Sequence, residues 1–512
     1  MSTAQDHRAA EQLLHGPARP GGPVVRDRGE PQWIDGGARF WYTVSDDDTR
    51  RFLLVDPAAG TREPAFDHAR LAAALATASG QPVDPEALPL IAVRPAGHAV
   101  EFAALGGYWR CRLDDYTCEP AEVAPPGSLL EVPSPDGKVT IARRGHDLWA
   151  RSLSDGREWA LTTDGAPDRP YGTCPAGGAS ATLLREPGLP GLPPAVAWSP
   201  DSTRVLTHRT DERGVRRTRP VEAGPDDDGV PNDGDVPDDD GVPRAELLVL
   251  DVGTGTVVRA RAEPLLMPQM SPITTKWAWW AEDGSAVYYL AHPRDPRTLS
   301  LHRLDPATGE VTTVLSETGD PGVEPDQWPY EPPIVRVLTD EVLWYSQRDG
   351  WGHLYRYDLH TGTLLGQVTS GPWAVRQILR VDEAERVVYF TATGRVEEDP
   401  YRRTVCRAAL DGSNFGSGSG FGFIFGLGFG FGSAFGSGSG AGFGSGSGFG
   451  SGSGSGFGSG FGFAELTDDE LDHAVTVADG QEYFIDSAST VDAPPVTLVR
   501  DWTGRVLVEL FA

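Results

Sequence analysis

Cysteine is scarce in this sequence, and long apolar runs do not occur in it. Four cysteines in 512 residues are too few for a disulfide framework, so we expect reduced thiols and a cytoplasmic protein. No apolar stretch approaches the roughly 18 residues that a membrane helix needs, and the N-terminal segment does not resemble a secretion signal. The sequence therefore predicts no membrane partner.

Basic residues are also few. The chain has 44 Lys and Arg against 73 Asp and Glu, which gives a net charge of −29. Because binding to nucleic acid begins with clustered Lys and Arg, we expect no nucleic-acid partner.

The common catalytic and metal-binding motifs are missing as well. No serine has glycine both two positions before and two positions after it, as a nucleophile elbow requires. The sequence also contains no Gly-x-x-x-x-Gly-Lys-Ser/Thr phosphate loop, no His-Glu-x-x-His helix and no close Cys/His cluster. We therefore predict no catalytic residue, no metal site and no cofactor.

Two segments of biased composition interrupt an otherwise ordinary globular sequence. Residues 415–463 hold 22 of the 63 glycines, alternating with Phe and Ser, and this composition predicts a disordered low-complexity insert. The alternative for this insert is weak self-association through its Phe side chains. Residues 222–243 contain nine acids and no base, and they lack the carboxylate spacing of an EF-hand loop, so we interpret them as a solvated, disordered loop.

Two short turn signatures recur along the chain. The first is an apolar residue, a Ser-Pro-Asp-Gly-like turn and an alternating apolar run, and the second is a strand, an Asp-x-x-Thr-Gly turn and another strand. Both are typical of hairpins, because Asp bonds the backbone two residues on and Gly accepts φ > 0. The first begins at Ser134, Trp198, Trp280, Val381 and Val477, and the second at Leu53, Leu247, Leu301 and Leu354.

One pair of hairpins makes a four-stranded sheet, and the spacing of the turns predicts eight such units. The fold class is therefore all-β: an eight-bladed β-propeller of four-stranded antiparallel blades, with two disordered loops. Apolar residues at helical spacing between Ala65 and Gly80 predict a short helical insertion in the first blade. The units are expected to start near Pro31, Leu90, Glu131, Ala195, Thr275, Ile334, Ile378 and His473.

Several longer stretches resemble a known family. SQRDGWGHLYRYDLHTG from Ser346, WSPDSTRVLTHRTDERGV from Trp198 and the segment from Asp472 to Gly504 are similar to the N-terminal propeller of dipeptidyl peptidase IV-like serine peptidases, in the prolyl oligopeptidase family. In members of that family, an α/β-hydrolase domain follows the propeller. The propeller filters and orients peptides. The resemblance implies residues 1–30 as an extension, a propeller over 31–512 and no hydrolase domain in this chain.

The resemblance also implies a place for substrate contacts. In the family, a double Glu before the fourth-blade Trp-Ser-Pro-Asp motif holds the substrate amino group, and only Glu186 stands in the corresponding stretch here. Together with Glu186, we take Asp211, Glu212 and Arg213 as candidate substrate-binding residues. A local salt-bridge network is the alternative for the last three.

The function expected from this resemblance is a substrate-gating propeller in proteolysis that is inactive without its catalytic domain. Its expected partners are peptides or a separately encoded hydrolase domain. The alternative is a free-standing propeller that binds peptides or a protein.

Overall fold

A computed structural model describes most of the chain. The described residues are 31–46, 49–121, 130–174, 192–213, 215, 241–267, 270–293, 297–320, 322–325, 332–412, 463–467, 469–478, 480–492 and 495–511. Most of the two biased segments, which were expected to be disordered, lies outside these residues.

Eight antiparallel sheets follow one another along the chain, and each is built from consecutive strands. We call them blades 1 to 8. Blades 1 to 4 contain β1 (Gln32–Ile34), β2 (Arg39–Asp46), β3 (Thr49–Asp56) and β4 (Thr61–Pro64); β5 (Ile91–Ala96), β6 (Ala99–Ala104), β7 (Gly107–Arg112) and β8 (Cys118–Pro120); β9 (Glu131–Pro133), β10 (Val139–Arg144), β11 (Asp147–Ser152) and β12 (Glu158–Ala160); and β13 (Ala197–Trp198), β14 (Arg204–Asp211), β15 (Arg244–Asp251) and β16 (Val257–Arg259), with β17 (Leu265–Leu266) paired to β15.

The second half of the chain repeats this arrangement. Blades 5 to 8 contain β18 (Ala278–Trp280), β19 (Val287–Ala291), β20 (Thr298–Leu304) and β21 (Val311–Thr318); β22 (Val335–Val337), β23 (Glu341–Ser346), β24 (His353–Asp358) and β25 (Leu364–Gln367); β26 (Ala374–Asp382), β27 (Val387–Thr393), β28 (Thr404–Ala409) and β29 (Ala464–Glu465); and β30 (Asp472–Val477), β31 (Tyr483–Ser489), β32 (Val496–Asp501) and β33 (Val506–Phe511). The predicted eight-bladed propeller is confirmed, and its blades begin within a few residues of the predicted positions.

The repeated turns have the stereochemistry that their sequences predict. In the first signature, the Ser134 hydroxyl donates to Asp136 at 2.7 Å and accepts from the Val139 amide at 3.0 Å, which closes the turn between β9 and β10. In the second, Asp251 accepts from the amide and hydroxyl of Thr254 at 2.7 and 2.8 Å. Gly255 then takes the left-handed conformation at φ 71°, which favours glycine.

Because consecutive strands are antiparallel, the strands of every blade begin and end on the same two opposite faces of the propeller. The turns between first and second strands and between third and fourth strands lie on one of them, which we call the turn face. The links between second and third strands, and between successive blades, lie on the other, which we call the connection face. By strand order, both repeated signatures belong to the turn face.

Apolar clusters hold neighbouring blades together. Blade 8 packs on blade 1 through Phe40, Tyr42, Ile485 and Val499, among others, so the ring closes without an exchanged strand. The Tyr483 hydroxyl reinforces this joint by donating to the Gly37 carbonyl at 2.6 Å.

The predicted helix is present as α1 (His68–Ser79). Its amino end is capped by Asp67, which accepts from the Arg70 amide at 3.0 Å, and Gly80 ends it in the left-handed conformation at φ 70°. Leu71 and Leu75 of α1 are completely buried in the cluster between blades 1 and 2. A short 3₁₀ helix, Asp35–Gly37, lies between β1 and β2.

The expectation of four reduced thiols is wrong for one pair. Cys111 and Cys118 form a disulfide, because the register of β7 and β8 places the two residues directly opposite each other. Cys174 and Cys406 are free.

Candidate functional site

Three of the four predicted substrate-binding residues, Asp211, Glu212 and Arg213, belong to the connection face near blade 4. Asp211 is the last residue of β14, and Glu212 and Arg213 follow it. Glu186 lies outside the described residues. The remaining three stay predictions as substrate contacts.

Asp211 and Arg213 form an ion pair with each other. The Arg213 guanidinium donates through Nε at 2.9 Å and through Nη2 at 2.7 Å to the two Asp211 oxygens. This hydrogen bond lowers the pKa of Asp211 below its ordinary value. The Arg213 side chain is still 57% exposed, so its charge is accessible from solvent. The pairing agrees with a local salt-bridge network, and a charged ligand would compete with it.

Glu212 has a different environment. It is buried, and its backbone amide donates to the Asp168 carbonyl at 2.9 Å. This bond ties the end of β14 to the link between blades 3 and 4. Glu212 is therefore anchored at the end of β14 beside the ion pair, and its role as a substrate contact stays a prediction.

A second network lies under the ion pair, and sequence reasoning missed most of it. The buried Arg209 donates to the Asp164 carboxylate at 3.0 Å and to the Asp164 carbonyl at 2.6 Å, and its guanidinium lies 5.2 Å from the centre of the Tyr171 ring. The Tyr171 hydroxyl donates to Asp164 at 2.7 Å, which lowers the pKa of that carboxyl. The network holds residues 164–171 rigidly against β14.

A buried Ser–His pair lies one residue from Arg209. The distance between His208 Nε2 and Ser271 Oγ is 2.7 Å, and both side chains are completely buried. Burial lowers the pKa of His208 to about 4, so the ring is neutral near pH 7. The pair links blade 4 to the segment before blade 5. Because solvent does not reach either group, the pair is not placed to attack a substrate.

A polar cavity of about 180 Å³ lies on the connection face between blades 7 and 8. Its lining is acidic, and Arg395 is its basic member, donating to Glu465 at 2.6 Å. Within the described part of the chain, no group of three or more His, Cys, Asp or Glu side chains is arranged to hold a metal ion. The carboxylates that line the cavity are Glu397, Glu398, Glu465, Asp469 and Glu470.

Comparison with known proteins places this architecture in a family. The family described as "Dipeptidyl peptidase IV (DPP IV) N-terminal region" matches residues 102–417. This chain belongs to that family. Its predicted resemblance to the propeller of dipeptidyl peptidase IV-like proteins is thereby confirmed.

Curated relatives agree with this assignment, and a solved structure shares the fold. "Probable dipeptidyl peptidase 4" of Emericella nidulans is 24% identical over 51% of this chain and 34% of its own length. "Probable dipeptidyl-aminopeptidase B" of Aspergillus terreus is 26% identical over 60% of this chain and 35% of its own length. The crystal structure of Porphyromonas gingivalis dipeptidyl peptidase 4 matches 98% of this chain and 61% of that chain, with 16% identity and a TM-score of 0.55.

The matched region is only part of each relative. The chain spans about a third of the length of the two curated relatives. Among the described residues, no helix is both long enough and apolar enough to span a membrane.

Proposed function

We propose that this chain is the substrate-gating propeller of a dipeptidyl peptidase IV-like serine peptidase, and that it has no peptidase activity by itself. The family match over residues 102–417 carries this proposal. The named relatives that support it are peptidases, and the chain aligns with about a third of their length.

The chemistry of the described residues supports the second half of the proposal. Acyl transfer requires an accessible nucleophile, a base and oxyanion donors in one site. Ser271 and His208 are close enough to exchange a proton, but both are completely buried. In this proposal another domain supplies the catalytic groups of the peptidase, and a separately encoded hydrolase domain is a proposed partner of the connection face.

The charged residues at the end of β14 are the proposed peptide contacts. A peptide carries an ammonium group at one end and a carboxylate at the other, and the Asp211–Arg213 pair offers a partner for each. Arg209 and Tyr171 hold this pair on a rigid base through Asp164. Glu186 and Glu212 are proposed to add negative charge for the amino end.

Hydrolysis by the purified full chain is the first test. Incubation with Xaa-Pro and Xaa-Ala chromogenic dipeptides should give no turnover above buffer. Turnover that a serine-directed fluorophosphonate probe abolishes would overturn the claim that the chain is inactive by itself.

Peptide binding by variants is the second test, with an Ala-Pro-containing hexapeptide as the probe in calorimetry. Arg213→Gln should weaken binding about 5-fold or more, because it removes the exposed cation of the pair. Arg505→Gln is the matched control, since Arg505 is also exposed and pairs with Asp501 at 3.0 Å, but on the turn face. Equal affinities of the two variants would contradict the assigned site.

A further inference from the structure

Apolar packing is distributed unevenly around the ring. Seven of the eight joints between neighbouring blades, as far as the described residues show them, contain a cluster of buried apolar side chains. The joint between blades 2 and 3 is the exception. It lies two blades along the ring from the joint between blades 8 and 1, where the ends of the propeller chain meet.

The side of blade 2 that faces blade 1 is apolar and buried, whereas the side that faces blade 3 carries exposed charged side chains together with the buried Ala99. Val100, Phe102 and Trp109 point towards blade 1 and belong to its cluster. Because side chains alternate along a strand, Arg110 and Arg112 of β7 point the other way, towards blade 3. Their side chains are 53% and 60% exposed, which is inconsistent with a packed joint.

Blade 3 shows the same asymmetry. Ile141 and Ala150 face blade 4 and are buried in its cluster. Their neighbours Ala142 and Trp149, which pair across β10 and β11, face blade 2 and are only partly buried. Arg144 lies over the Trp149 ring at 4.9 Å and is 49% exposed.

Polar groups at this joint find their partners within their own blade. Arg110 pairs with Glu101 in blade 2 at 2.7 Å, and Arg151 pairs with Glu131 in blade 3 at 2.6 Å. No described hydrogen bond, ion pair or ring contact joins a residue of strands β5–β8 to a residue of strands β9–β12. The Thr140 hydroxyl, on the side of blade 3 that faces blade 2, is buried without a hydrogen-bond partner in the described structure.

Other joints are bridged by hydrogen bonds as well as by apolar contacts. Trp198 of blade 4 donates to the Val132 carbonyl of blade 3 at 3.2 Å, and Trp280 of blade 5 donates to the Ala197 carbonyl of blade 4 at 2.9 Å. Opening either joint would break these bonds and expose an apolar cluster. Among the described residues, opening the joint between blades 2 and 3 would break no such hydrogen bond and expose no such apolar cluster, and it would give Thr140 access to water.

We propose that the ring opens and closes at the joint between blades 2 and 3, while small shifts spread over the other seven joints leave their apolar clusters packed. We call the joint between blades 2 and 3 the seam. Its charged pairs, each confined to one blade, stay intact in both positions.

Distance measurements between spin labels test this seam. Asp114, Ser154 and Gly253 are exposed residues in or beside the turns between the third and fourth strands of blades 2, 3 and 4. In the full chain carrying Cys174→Ala, labels at Asp114→Cys and Ser154→Cys should give a distance distribution at least 2-fold wider than labels at Ser154→Cys and Gly253→Cys. Equal widths would overturn the proposal.

Thiol labelling of the folded chain provides a second measurement. Ala142→Cys faces the seam, whereas Ala150→Cys in the same blade faces the packed joint with blade 4. A bulky maleimide should modify Ala142→Cys at least 10-fold faster than Ala150→Cys without denaturant. Similar rates, with both variants folded by circular dichroism, would also overturn the seam.

Discussion

Two completely buried histidines in this propeller have opposite electrostatic environments. His208 faces hydroxyl groups, and burial lowers its pKa to about 4. His473 lies between two carboxylates, with Nδ1 2.8 Å from Asp486 and Nε2 2.9 Å from Asp469. Burial alone would lower the pKa of His473, but the hydrogen bond and charge of Asp486, with Asp469, outweigh it and raise the pKa. Both ring nitrogens of His473 must carry a proton to donate to both partners.

This arrangement predicts a pH-dependent contribution of His473 to stability. Because its folded pKa is raised, the contribution is complete below the unfolded pKa of about 6.5 and is lost as pH rises through the folded pKa. His473→Gln should cost about 3 kcal/mol of unfolding free energy at pH 6 and clearly less at pH 10, as measured by urea denaturation.

His208→Gln serves as the comparison for that experiment. The pKa of His208 is lowered, so its contribution is present above about pH 6.5 and is lost as pH falls towards 4. A cost of His473→Gln that stays constant from pH 6 to 10 would contradict the assigned imidazolium.

Sequence reasoning reached only part of the candidate site. The proximity of Asp211 and Arg213 in the chain suggested a local ion pair, and the structure contains it. The support from Asp164 and Tyr171 could not be predicted, because these residues lie about 40 positions before Arg209 and meet it only after blades 3 and 4 pack together. Arg209 is the member of the network that stands out, because it is a charged residue within β14, a strand that is almost entirely buried.

At the scale of strands and turns, the sequence was far more informative. The two turn signatures set the register locally, so the order of strands within each blade followed from them. The cross-blade bonds of Trp198 and Trp280 explain why Trp precedes the turn in these two repeats. The exposed side of blade 2 also has a sequence signal, because Glu101, Arg110 and Arg112 alternate with buried apolar residues.

The Asp-x-x-Thr-Gly turn predicts a specific effect of substitution. Asp251→Ala removes the acceptor for the amide and hydroxyl of Thr254 and should lower the unfolding free energy by about 1–2 kcal/mol. Thermal and urea unfolding would measure the loss. Asp251→Asn keeps an acceptor oxygen and should cost less than half as much, and equal costs would show that the turn does not depend on this bond.

At the scale of the whole molecule, the glycine-rich insert enters between two strands of one blade. It separates β28 from β29, which nevertheless pair at Cys406 and Glu465. Phe463, at its end, packs on Trp373 with ring centres 5.4 Å apart. The bounds of the insert were predictable from its composition, whereas the anchoring of Phe463 depends on blades 6 and 7 coming together.

Shortening this insert tests whether it matters to the fold or to assembly. Replacing residues 413–462 by a loop about ten times shorter, with Phe463 kept, should raise the unfolding free energy by roughly 2 kcal/mol, because loop-closure entropy falls. Sedimentation velocity should show the same species before and after the change. Loss of a larger species on deletion would instead support self-association through the Phe residues.

The confinement of every strand ladder to one continuous segment has a consequence for descent. No strand of the described chain is shared between blades, so a gene fragment running from one first strand to the next encodes a complete sheet. Duplication or loss of such a fragment would break no ladder, and only two side-chain surfaces would have to fit a new neighbour. A propeller of this kind can therefore gain or lose whole blades, and selection for a close fit acts on the joints between them.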